Sequence, residues 1–310
     1  EERLEDMTPC IACLQGCVAN MYAGNPICCL TNPFLGHEAE PIAKTENPKK
    51  VMVIGGGVAG LCAAFIAKEK GHEVTLYEAG DVLGGNMRLA AYPPGKGDIT
   101  NMIRSYIHRC QKDGVKIVMN CEVTPELIKE EKPDSVIIAT GSKTLILPIE
   151  GIDNPAIIHG SDLLDGKRPA GKKVLVVGGG MVGCETAAFL GEQEHDVTVI
   201  EFRDTVGADV IHEHRVYLMK DFEDYGIKEI TGAKVCKFYE DGVEYETADG
   251  VRHETRGYDS VILSMGFRNY NPLEEKIKDL VPETHVIGDA IRARRALDAT
   301  KEAYEVASRL

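Results

Sequence analysis

No stretch of the 310 residues approaches the ~20 consecutive apolar positions of a membrane-crossing helix. The longest candidate, VIGGGVAGLCAAFIA at 53–67, is too short and too rich in glycine. The first residues, EERLEDM, contain no apolar core of a secretory signal and no initiator Met, so the chain is expected to be a processed product or a piece of a longer polypeptide. Positive charge is scarce: 35 Lys and Arg against 49 Asp and Glu leave a net charge of −14. That balance argues against nucleic acid and against an anionic membrane surface as partners. Low-complexity runs and linkers long enough to be disordered are absent as well. What remains is a globular composition, 44% hydrophobic and 27% charged, in a chain long enough for two domains, expected in the cytoplasm.

Two segments repeat one pattern. VMVIG (51–55) reads as a buried strand, the segment through EKG (69–71) as a helix ended by Gly71, and HEVTLYE (72–78) as a second strand. KVLVVG (173–178), MVGCETAAFLGEQ (181–193) and HDVTVIE (195–201) repeat it, and in both copies the first glycine stands 23 residues before the terminal acid. The copies carry Gly55, Gly57, Gly60 and Glu78, and Gly178, Gly180, Gly183 and Glu201, at G-x-G-x-x-G spacing. The first glycine permits the tight turn, the second lets backbone approach a pyrophosphate, and the third lets helix and strand pack closely. The acid accepts from ribose hydroxyls. Two such sites imply two dinucleotides, a tightly held flavin and an exchangeable nicotinamide. Glu201 repels a 2′-phosphate and favours NADH, although Arg203 two residues on works against that preference. SVIIATG (135–141) and SVILSMG (260–266) also resemble each other, as crossings between an outer domain and an inserted one.

Five of the ten cysteines, Cys10, Cys13, Cys17, Cys28 and Cys29, fall in the first 29 residues. Clustered thiols without a secretory signal point to a metal site in a reducing compartment. Cys10, Cys13, Cys17 and Cys29 are spaced C-x2-C-x3-C-x11-C, so that three thiolates converge on a small iron–sulfur cubane and a fourth arrives from a loop. Zinc is one alternative, although its sites more often use two separated C-x2-C pairs. A redox disulfide at the C-x-x-C pair is another. Cys62, Cys110, Cys121, Cys184 and Cys236 are expected as buried small hydrophobes, His212 and His214 as solvated, and RARR (292–295) as surface charge.

In this order the motifs resemble the C-terminal half of the old-yellow-enzyme-like iron–sulfur flavoproteins. That family includes 2,4-dienoyl-CoA reductase, 2-enoate reductase, the bile-acid-inducible NADH:flavin oxidoreductases and trimethylamine dehydrogenase. The resemblance covers nearly the whole chain and rests on CIACLQGC (10–17), CCLTNPFLGHE (28–38), LGGN (83–86), PPGK (93–96) and both glycine loops. It implies an α/β fold of two Rossmann-like domains: a Cys-rich [4Fe–4S] segment at 1–49, an FAD domain at 50–150 and 266–310, and an NAD(H) domain inserted at 151–265. The family's fourth cysteine precedes x-x-Asn-Pro, which selects Cys29 over Cys28. THVIGDA (284–290) resembles the family's second flavin motif, in which the Asp, here Asp289, bonds the ribityl chain; FAD is thereby assigned to the first loop. Asn86, where Gln is more usual, and Lys96 are implied along the FAD, with Val123 touching the adenine through its backbone and Thr140 and Gly141 in the same set.

The implied function is that of an electron-input module. Electrons would pass from NADH to FAD, to the cluster, and to FMN in an N-terminal TIM barrel that reduces an activated C=C bond of an enoate or enoyl-CoA. No barrel sequence is present, so the expected partner is that barrel or an equivalent acceptor; the oligomeric state stays open, and no acid or base is assigned in this half. A disulfide reductase is a weaker alternative, because 85–109 contains no cysteine where a redox pair would follow the first acid. A diaphorase subunit serving a separate acceptor and a flavin-bearing sensor are the other readings.

Overall fold

The computed structural model describes residues 3–310. Residues 3–49 hold little regular structure beyond a 3-10 turn at Leu4–Asp6 and helix α1 (Val18–Tyr22). Regular structure begins with the first apolar run: β1 (Lys50–Ile54), α2 (Val58–Glu69) and β2 (Glu73–Tyr77). The α2 pattern stops ahead of Gly71, whose φ of +102° ends the helix. The chain continues through α3 (Ile99–Lys112), β3 (Lys116–Val118), α4 (Pro125–Glu131), β4 (Ser135–Ile138) and the short β5 (Ser142–Thr144). Thr124 opens α4 by accepting from Leu127 N–H (3.3 Å), with Pro125 in the first turn where it forfeits no hydrogen bond.

The second copy follows as β6 (Ile158–His159), α5 (Gly160–Leu164), β7 (Lys173–Val177), α6 (Met181–Glu192), β8 (Asp196–Ile200), α7 (His212–Asp224) and β9 (Lys228–Ile230). An antiparallel meander of β10 (Lys234–Tyr239), β11 (Gly242–Glu246) and β12 (Arg252–Thr255) precedes β13 (Ser260–Leu263) and the short β14 (Phe267–Asn269). The chain closes with α8 (Glu274–Ile277), β15 (Glu283–Val286), a 3-10 turn at Gly288–Ala290, and α9 (Ala296–Ala307).

Two compact α/β units result. The first takes residues up to Ala91, Gly97–Lys143 and Arg268–Leu310; the second takes Tyr92–Lys96 and Thr144–Phe267. Each is built on a five-stranded parallel sheet, ordered β15-β4-β1-β2-β3 in the first and β6-β13-β7-β8-β9 in the second. Side chains of a strand alternate between faces. Val51 and Val53 therefore join a core with Phe65, Met102 and Tyr106, while Met52 and Ile54 join another with Ile128 and Ile277. Val174 and Val176 repeat this against α6, with Leu175 and Val177 on the opposite face. SVIIATG and SVILSMG supply β4 and β13, each the parallel neighbour of a glycine-loop strand.

The inserted unit runs longer than the expected 151–265. Ile149 and Ile152 pack into its core, and Leu145 N–H donates to Gly266 O at 2.9 Å. Residues 3–49, for their part, cluster with the first unit. Leu30 is wholly buried in that unit's core, Tyr106 OH donates to Leu30 O at 3.0 Å, and Phe34 lies edge-on to Tyr304. Among the described residues no helix is long and apolar enough to cross a membrane.

Candidate functional site

Both glycine loops are built alike, with an offset of 123 residues throughout. Gly55 and Gly178 have φ of +107° and +106°, and a Cβ there would lie 2.3 Å from Ala139 O and 2.4 Å from Ser264 O. Both demands, the left-handed backbone and the close approach, admit only glycine. Gly60 and Gly183 bring helix onto strand so closely that a Cβ would stand 1.9 Å and 1.8 Å from the carbonyl oxygens of Gly55 and Gly178. Over Gly57 there is nothing within 4 Å, which leaves open the place where backbone meets a pyrophosphate at the α2 N-terminus.

The terminal acids fold back onto these loops. Gly56 N–H and Gly80 N–H each donate to a different oxygen of Glu78, both at 2.7 Å. Glu201 accepts in the same way from Gly179 N–H (2.6 Å) and Arg203 N–H (2.9 Å). Each carboxylate is thus fixed at the end of its strand and keeps lone pairs for ribose hydroxyls.

Several residues named from sequence meet around one unannounced side chain, Ser142. Asn86 Nδ2 donates to Ser142 Oγ at 3.3 Å, and Ser142 Oγ donates to Asp289 Oδ2 at 2.9 Å. Arg294 N–H adds a bond to the other Asp289 oxygen at 3.1 Å. Thr140 Oγ1 donates to Tyr270 O and Tyr270 N–H to Gly141 O, tying the end of β4 to the returning chain. The Val123 side chain is buried in the core, only 5% exposed, so its backbone is what can face a ligand. Lys96 belongs with the inserted unit, where it forms an ion pair with Glu185 of α6, a side chain just 9% exposed. Nothing in sequence singled out Glu185 or Ser142, because each acquires its role from a residue distant along the chain.

In the cysteine segment all five thiols are free. Burial holds the Cys13 thiol above its usual range, and Cys29, Cys17 and Cys10 push in the same direction, so the four lie within electrostatic reach of one another. The loop between them is strained: Ala12 and Leu14, neither a glycine, have φ of +51° and +55°. Ala12 N–H donates to Cys10 Sγ at 3.4 Å, and Thr31 Oγ1 lies 3.3 Å from Cys29 Sγ. Among the described residues no three Cys, His, Asp or Glu side chains stand at the spacing of ligands around one ion. Four free thiols grouped without that tight spacing fit a group larger than a single ion, and they do not fit a zinc site. Cys28 is occupied otherwise, with Asn20 Nδ2 donating to its Sγ at 3.4 Å.

The remaining cysteines divide. Cys62, Cys110 and Cys184 are wholly buried, and burial drives their thiols up, Cys110 and Cys184 to about 12. They are inert core residues. Cys121 and Cys236 are only half-buried, contrary to expectation, because one lies at the margin of a core and the other on the meander strand β10. His212 is exposed and His214 half-buried. In RARR, Arg292, Arg294 and Arg295 are exposed, and Arg294 is paired with Glu302.

Comparison with known proteins agrees with this construction. The family model of the pyridine nucleotide-disulphide oxidoreductases matches residues 49–286. A metal reductase of Desulforamulus reducens is 32% identical over 98% of this chain and 50% of its own length. A cinnamate reductase of Clostridium sporogenes is 32% identical over 100% of this chain and 47% of its own. The solved structure of a 2-naphthoyl-CoA reductase in complex with 2-naphthoyl-CoA superposes with a TM-score of 0.94 at 32% identity, covering 99% of this chain and 47% of that one. The chain therefore spans about half the length of the curated relatives it matches. With two dinucleotide loops, each closed by its acid, on a pair of parallel sheets, and with the resemblance to enoate-reductase-like proteins upheld along the whole chain, this protein belongs to the pyridine nucleotide-disulphide oxidoreductase family.

Proposed function

We propose that the chain is the NADH-oxidising, electron-input half of an iron–sulfur flavoprotein that reduces an activated C=C bond, of the enoate or enoyl-CoA type, in a further FMN-bearing barrel domain. The observation that carries this reading is the duplicated glycine loop, intact in both copies, beside four grouped free thiols. When bound, FAD accepts a hydride from NADH and the [4Fe–4S] cluster takes electrons onward singly.

The chain's own residues bind and orient. Gly55, Gly57 and Gly60 open the α2 N-terminus to the FAD pyrophosphate, Glu78 takes the adenosine ribose, and the Asn86–Ser142–Asp289 chain offers polar groups along the ribityl. Gly178, Gly180 and Gly183 serve the nicotinamide dinucleotide in the same manner, with Glu201 set against a 2′-phosphate. Cys10, Cys13, Cys17 and Cys29 hold the cluster. Ten cysteines without a disulfide among the described residues suit the reducing cytoplasm. Family membership does not bring disulfide chemistry with it, since 85–109, which follows the first acid, contains no cysteine.

The experiment is an anaerobic titration of the FAD-loaded chain with NADH, following flavin absorbance in the visible. Stoichiometric bleaching is expected; a flavin that NADH does not bleach would refute the reading in favour of a sensor or binding protein.

A further inference from the structure

The two loops part company at one position. The 123-residue offset that pairs Gly55 with Gly178 and Glu78 with Glu201 also pairs Gly84 with Gly207, and Asn86 with Asp209. Backbone bonds keep the register: Gly84 N–H donates to Gly56 O at 2.8 Å, and Gly207 N–H to Gly179 O at 2.7 Å. In the first copy the side chain at this position is a neutral amide that turns to Ser142, away from the helix N-terminus. No side chain caps α2, and the space over Gly57 is empty.

In the second copy the side chain is a carboxylate, and it is turned the other way. Met181 N–H, the first helical N–H of α6 and the counterpart of Val58 N–H, donates to Asp209 Oδ1 at 2.9 Å. A Cβ placed on Gly180 would meet the two Asp209 oxygens at 3.4 and 3.6 Å, whereas the same construction on Gly57 meets nothing. The end of α6 that a pyrophosphate requires, with its free N–H groups and positive dipole, already holds an anion supplied by the chain.

We propose that Asp209 is a built-in competitor for the dinucleotide pyrophosphate at the second loop. The inference rests on reading that loop as the nicotinamide dinucleotide site. A ligand arriving there must break the Asp209–Met181 bond and put its phosphates where a carboxylate stood. Its apparent affinity falls by the fraction of molecules in which Asp209 is turned aside. This device separates two chemically similar sites: the first copy, with Asn86, keeps its cofactor, and the second, with Asp209, binds and releases its own at each turnover. It assigns Asp209 as a residue that sets affinity in the second site and leaves the first site untouched.

The test is calorimetric titration of the FAD-loaded chain and its Asp209→Asn variant with NAD+, with ADP-ribose and with adenosine. The variant keeps the side-chain shape and removes the charge. NAD+ and ADP-ribose, which carry the pyrophosphate, are expected to bind the variant about three- to tenfold more tightly, and adenosine, which lacks it, equally to both proteins. Asp209→Ala serves as a second variant expected to tighten the same two ligands, with retained flavin absorbance reporting an intact first unit. Equal or weaker binding of NAD+ and ADP-ribose by the folded variants overturns the proposal while leaving the site assignment in place. Failure of wild type and variants alike to bind either ligand overturns the site assignment and the proposal with it.

Discussion

Among single residues, the acids that end β2 and β8 are fixed by backbone donors before any ligand arrives, so their charges are presented in place. Glu201 is expected to make the chain prefer NADH. Glu201→Ala should shrink the ratio of kcat/KM for NADH over NADPH by about tenfold, the size of one charge repulsion of about 1.4 kcal/mol. Anaerobic stopped-flow flavin reduction measures it, and wild-type reduction faster with NADPH than with NADH would remove Glu201 from that role. The cysteine pair offers a sharper contrast, since Cys29 belongs to the group around Cys13 while Cys28 is bonded by Asn20. Cys29→Ser should lose the iron and acid-labile sulfide, expected at about four of each per chain for a cubane, and Cys28→Ser should keep them. The opposite result would show the wrong neighbour chosen, and one zinc with no sulfide would end the cluster assignment.

At the scale of elements, the strand–turn–helix unit depends on contact between backbones. In Gly183→Ala the new Cβ would stand 1.8 Å from Gly178 O, a clash with main chain that no rotamer relieves. Pushing α6 off β7 should cost about 1–3 kcal/mol of stability and abolish NAD+ binding. The flavin, held by the other copy, should remain. Flavin content and calorimetric NAD+ titration on one preparation separate these effects, and full NAD+ affinity in the variant would show that the close packing is dispensable. The same backbone logic made this part legible in sequence: three glycines at fixed spacing and an acid 23 residues after the first leave few other geometries. The cysteine segment was readable as thiol spacing but not as packing. Leu30 and Ile11 join the first unit's core through tertiary contacts that no periodicity announces. Ser142, Glu185 and Asp209 look ordinary in sequence because their partners stand 56, 89 and 28 residues away.

Considered as a whole molecule, the chain has two dinucleotide loops and a thiol cluster, and it spans half of its relatives' length. These parts suffice to take electrons from NADH and deliver them one at a time, and they include no separate flavin facing an alkene pocket. The loaded chain should therefore behave as a diaphorase, with the alkene chemistry residing in the rest of the full-length protein. Anaerobic NADH oxidation, measured on the FAD- and cluster-loaded chain with ferricyanide and then with cinnamate, puts this account to its most direct test. The account predicts sustained turnover with ferricyanide and none with cinnamate. No turnover with ferricyanide would contradict the electron-input role, and turnover with cinnamate would locate a substrate site within these 310 residues.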